Sequence, residues 1–193
     1  MRNYQQISVN DRPALRRWLT ANHRQSESIW LVFAKRGEPD YLSYPAIVEE
    51  ALCFGWVDSL PRALDERRTM ILLSPRKAGS AWSKPNRERA ERLIAGGLMQ
   101  PAGAAKIAAA CSDGSWDRLK AAEAGVVPDD LATALRATAD ARAGFDALSA
   151  AKRRNLIDHV TSAKRAETRA ARIAKVVAAA AEGRDALAWV RKS

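Results

Sequence analysis

Cysteine and histidine are scarce in this chain, with two of each among 193 residues. Cys53 and Cys111 stand far apart and outside any C-x-x-C spacing, which argues against a disulfide framework and against a zinc ribbon. His23 and His159 complete no H-x-x-x-H, H-E-x-x-H or H-x-E pattern, so the expectation is no metal and no cofactor. A nucleophilic Cys53 would need a base that neither histidine's position supplies, and a buried free thiol is expected there and at Cys111. No apolar run approaches the ~18 residues that cross a bilayer, and Met1 to Gln6 lacks the apolar centre of a secretory signal. A cytoplasmic chain without a membrane span is the expectation. A Walker A loop, G-x-x-x-x-G-K-[ST], is also missing.

Positive charge, by contrast, is plentiful and uneven. The formal net charge is +10. Between Arg62 and Arg92 nine basic residues face four acidic ones, and between Lys152 and Lys175 eight face two, so these two windows hold the whole excess. A localised cationic surface suits an anionic partner, whether a small molecule, a protein or nucleic acid; the alternative is a solvated face that aids solubility.

Segment patterning gives the fold class. Tyr4 to Val9 alternates as a short strand, Asn10-Asp11 before Pro13 opens a helix to about Asn22, and Ser28 to Lys35 is a branched and aromatic run fit for a central strand. In the first helix Leu15, Trp18 and Leu19 form the inner stripe, leaving Arg12, Arg16 and Arg17 to solvent. Ser43 and Pro45 open a second helix that Gly55 ends. Trp56 to Ser59 and Arg68 to Ser74 read as strands joined by a hairpin-like connection from Pro61 to Glu66. Beyond Pro85, helix signals alone remain. The sum is an α+β chain: a small mixed or antiparallel sheet with helices over 1–97, then an all-helical subdomain over 98–193.

Chemistry concentrates between Ser74 and Asn86, a polar loop between a strand and a helix start. Arg76, Lys77, Lys84 and Arg87 converge there on unpaired helical N–H groups, Ser80, Ser83 and Asn86 add neutral donors, and Trp82 can stack on a flat ring. Together with Trp56 these form a candidate anion cradle. In the alternative, Ser83 caps the helix, Trp82 closes the core edge and the cations are solvated. Asp58 is the one candidate acid or base, with a turn or an arginine partner as its plainer role. Arg165, Arg169 and Arg172 share one helical face that either is solvated or serves a binding surface.

Three groups of residues carry a family resemblance: Glu49 to Ser59; Ser74 to Lys77 with Ser80, Trp82 to Lys84 and Asn86; and Ser162 to Arg165 with Glu167 to Arg169, Arg172 and Ile173. In this order, over Ser28 to Gly183, the chain resembles the YdeI/OmpD-associated, or bacteriocin-protection, family. The resemblance implies a stress or resistance accessory protein of bacteria, with a porin association carried by the family name, and it implies no cofactor and no catalytic residue. Two other functions fit the same loop: an enzyme acting on a small anionic substrate with Asp58 as acid or base, and a nucleic-acid binder that stacks through Trp82.

Overall fold

The Asp11 carboxylate accepts a hydrogen bond from Ala14 N–H at 2.6 Å, and Pro13 sits in the first turn, so the first helix starts where the capping residues place it. Similar local signals set out β1 (Gln5–Ser8), α1 (Arg12–Asn22), β2 (Ile29–Ala34), α2 (Tyr44–Cys53), β3 (Trp56–Ala63), β4 (Arg68–Pro75), α3 (Lys84–Ala95) and α4 (Pro101–Ser112) in this computed structural model, which describes residues 4–188. Then follow α5 (Lys120–Glu123), α6 (Asp129–Arg136), α7 (Ala139–Ala147), α8 (Ala150–Thr161) and α9 (Ala166–Ala181). The chain is α+β, with its described strands confined to the first half.

The four strands form one mixed sheet in the order β1-β2-β4-β3. β1 pairs parallel to β2, while β2 and β3 flank β4 in antiparallel register, Trp30 opposite Leu72 and Trp56 opposite Pro75. Alternation along the strands puts Ile29, Leu31 and Phe33 of β2 with Ile71 and Leu73 of β4 on the face that meets Leu15, Leu19, Ile47 and Leu52 of the helices. Burial of each of these side chains contributes about 1.5–3 kcal/mol. β3 runs on through Pro61 instead of turning there. A register shift between Asp58 and Pro61 accommodates it, and on an edge strand the missing proline N–H interrupts no ladder.

Chain contacts divide the protein into two compact units, one ending at Arg118 and the other starting at Leu119. The composition shift at Gly96-Gly97 suggested a division at 97/98, but α4 belongs to the first unit. Gly103 explains why: a Cβ there would fall 2.6 Å from the Leu52 carbonyl oxygen, so only glycine lets α4 approach α2 this closely. In the second unit Leu131, Leu135, Phe145, Leu156, Ile157 and Val160 share a separate core, and Gly144 lies against the Ala180 backbone of α9.

Two polar expectations change. Arg12 and Arg16 do not simply face solvent: their guanidinium groups hold the carboxylate of Glu50, which is 1% exposed, at 2.6 and 2.8 Å. The helical stripe leaves their stems beside α2, so the heads reach its buried acid. Cys111 is exposed, whereas Cys53 is buried, and burial followed by the Glu50 charge pushes its thiol up to about 11. No described helix is long and apolar enough to cross a membrane.

Candidate functional site

Arg76 follows β4 directly, and its N–H donates to the Gly55 carbonyl at 2.9 Å, which extends the hairpin by one bond. Its side chain then folds inward. The guanidinium lies 3.8 Å from the Trp82 ring centroid, Nη1 donates to Ala81 O at 3.1 Å, and the residue is 4% exposed. Nε is buried with no hydrogen-bond partner, and among the described residues no carboxylate forms an ion pair with it. Burial therefore pulls the pKa of Arg76 down to about 10, opposed only by the charge of nearby Asp58.

Trp82 is 1% exposed, with Trp116 at 4.9 Å and a tilt of 47° on one side. Its Nε1 and the neighbouring Ser115 Oγ are buried without hydrogen-bond partners, while its backbone N–H donates to Ser115 O at 3.3 Å. Arg87, also buried, donates from Nη1 to Trp82 O. The ring expected to stack on a ligand is thus closed in by Arg76 and Trp116. Stacking a nucleobase on it is not open in this structure, and Arg76 and Arg87 are core cations rather than a surface cradle. The apolar area of an indole favours burying the ring, and the contact of the Arg76 guanidinium with its face offsets part of what desolvating that cation costs.

The other predicted residues sort by position. Lys77 and Lys84 are exposed, and Ser80 donates from Oγ to Lys77 O at 2.6 Å, fixing the turn. Ser83 stands at the start of α3 but caps it through its carbonyl, which accepts from Asn86 and Arg87 N–H at 2.9 Å; its side chain makes no capping bond. Asn86 Oδ1 accepts from Arg89 at 3.1 Å. Trp56 is fully buried, donating to His23 O at 3.1 Å and meeting Trp18 edge-on, which is a core role.

Asp58 accepts a hydrogen bond from Tyr44 O–H at 2.5 Å. Burial, then this bond, raises the Tyr44 pKa to about 12, while the charge of Arg89 works the other way. Asp58 thus lies within electrostatic reach of both Tyr44 and Arg76, and Tyr44 within reach of Arg89, around the open end of the β3–β4 hairpin. Sequence reasoning passed over Tyr44, Arg89 and Ser115. Tyr44 carried a usable signal, since an aromatic hydroxyl between the capping Ser43 and Pro45 must sit at a helix start.

In the second unit Arg165 is exposed just before α9, while Arg169 and Arg172 are engaged. Arg169 pairs with Asp130 at 2.6 and 3.0 Å and donates to Val160 O at 3.3 Å, while Arg172 donates to His159 O and to Ser162 Oγ. Both reach carbonyls in the last turn of α8, where Val160 O also accepts from Ala163 N–H and His159 O from Ser162 Oγ. The bond to Arg169 holds the Asp130 carboxyl below its usual range.

Comparison with known proteins separates along the same division of the chain. Residues 124–183 match the family model described as Bacteriocin-protection, YdeI or OmpD-Associated, the family that the sequence motifs resembled. That match takes in the third group of motif residues; the first two groups fall within a different model. No curated protein and no solved structure matches the chain. Residues 7–106, just over half of its length, match the family described as Domain of unknown function (DUF8412), and the chain belongs to that family.

Proposed function

We propose that this protein is a cytoplasmic stress or resistance accessory protein of the bacteriocin-protection type, and that it binds an anionic ligand at the open end of the β3–β4 hairpin. The bacteriocin-protection part rests on the match over residues 124–183. The binding part rests on one observation: Arg76 is a buried cation with an unpartnered Nε and no ion pair among the described residues, its burial only partly offset by the charge of nearby Asp58. Such a charge is costly to bury alone and gains most from an anion that pairs with it. Lys77, Lys84 and Arg89 supply positive potential around it, while the single O–H of Tyr44 is given to Asp58 and holds that carboxylate to one side.

Inorganic phosphate, then phosphorylated and carboxylated metabolites, should raise the melting temperature at constant ionic strength, by the equivalent of about 2.7 kcal/mol at a hundredfold excess over Kd. Arg76→Gln should abolish the rise. Lys77→Ala with Lys84→Ala, at two exposed positions, should weaken it without touching the core. If no anion stabilises the protein, or if both variants respond like the wild type, the proposal fails.

A further inference from the structure

A second concave site lies at the other end of the same hairpin. Its turn, the β1–α1 connection and the β2–α2 connection enclose a groove of about 900 Å³. The eight-residue reach of β3 and β4 separates it from Arg76 by about 25 Å. The groove lies beyond the carboxyl ends of the parallel pair β1 and β2, where open sheets containing parallel strands commonly hold ligands. It straddles the end of β2, because Val32 and Phe33 point to opposite faces and both line it; with Val9 they make an apolar floor.

The rim carries charge of the sign that the rest of the chain has least of. Glu38, Asp40, Asp65 and Glu66 line it together with Arg67 and Arg68. Arg67 is taken up by Glu38 at 2.6 Å and Arg68 by Asp65 at 2.7 Å, while Asp40 and Glu66 have no ion pair among the described residues. Arg67 also feels the charge of Asp40, but four acidic side chains against two basic ones leave the rim net negative over an apolar floor, in a protein of net charge +10. The volume is that of a small-molecule site. An anion would meet net negative charge here, and a plain polyol would leave the floor unused.

We infer that this groove binds a small organic cation, an ammonium or amidinium group carried on an apolar body, with Asp40 and Glu66 as counter-charges and the body on Val9, Val32 and Phe33. The inference is independent of the anion site.

Calorimetric titration of the full chain with benzamidine tests it, with benzoate as the same ring bearing the opposite charge. Benzamidine should bind with a Kd of about 1 mM or tighter, and benzoate should not. Asp40→Asn with Glu66→Gln should weaken benzamidine about tenfold, from the loss of two counter-charges. The melting temperature of the free variant should stay unchanged, because both side chains are exposed and unpaired. Lys77→Ala with Lys84→Ala should leave benzamidine binding as it was. Absence of benzamidine binding, equal binding of benzoate, or an unchanged affinity in the Asp40/Glu66 variant overturns the inference.

Discussion

Trp82→Ala should destabilise the first unit severely. The ring is 1% exposed, packs on Trp116 at 4.9 Å and carries the Arg76 guanidinium at 3.8 Å. Deleting a buried aromatic of this size costs about 3–5 kcal/mol. Loss of the cation–π contact adds up to about 2 kcal/mol, since Arg76 is desolvated and makes no ion pair among the described residues. A total near 5 kcal/mol reaches the lower end of what holds a whole domain together. Lys77→Ala, at an exposed side chain in the same loop, should change stability by less than about 0.5 kcal/mol. Five of the six tryptophans lie at or before Trp116, so the shift of tryptophan emission in urea follows the first unit, while far-ultraviolet circular dichroism follows helices of both. A Trp82→Ala protein that loses less than about 1 kcal/mol in the fluorescence transition would refute the buried-ring account and return Trp82 to the surface.

Arg12→Ala with Arg16→Ala should cost about 3–5 kcal/mol by leaving the buried Glu50 carboxylate without a cation, and more than Glu50→Gln, after which the two partly exposed arginines can hydrate; equal losses in urea unfolding would contradict this. Gly144→Ala should destabilise the second unit by about 2 kcal/mol or more despite alanine's better helix propensity, because its Cβ meets the Ala180 carbonyl, a backbone atom that cannot move aside; an unchanged denaturation midpoint would disprove that close approach. Tyr44 should ionise near pH 12, seen as a late tyrosinate absorbance step that Tyr44→Phe removes and Asp58→Asn moves down towards 10. Since the folded pKa lies above the unfolded one, the associated stability is complete below pH 10 and is lost as pH rises through 12, and a wild-type titration without a late step that Tyr44→Phe removes would rule the Tyr44–Asp58 bond out.

Backbone signals in the sequence carried the fold well because they act locally. Asp11 and Ser43 each cap the helix they were expected to open, and the run from Ile29 to Ala34 is a central strand because it buries so much branched and aromatic surface. Side-chain destinations were harder, since they depend on partners distant in the chain. Arg12 and Glu50 are separated by 38 positions, Arg169 and Asp130 by 39, and no periodicity records such a pairing. The loop from Ser74 to Asn86 was legible as the place where polar chemistry gathers, but the direction its largest side chain faces was not. Spacing alone does not distinguish a tryptophan that stacks on a ligand from one that stacks on its own arginine.

The two cationic windows therefore differ in what their charge does, and this bears on where binding is to be sought. In the second window Arg169 and Arg172 are spent on the Val160 and His159 carbonyls and on Asp130, so the residues that carry the family motif there fasten the end of α8. An arginine is suited to this work because one planar head reaches a carboxylate and a carbonyl together. In the first window Arg87 is similarly turned onto the Trp82 carbonyl, but Arg76 is left with a buried donor unmet. A motif residue whose hydrogen bonds are all made within its own fold explains its presence by stability alone. Arg76 is not of that kind, since burial lowers its basicity by more than the Asp58 charge restores and its Nε is unmet, and an anion supplied from outside the chain resolves both.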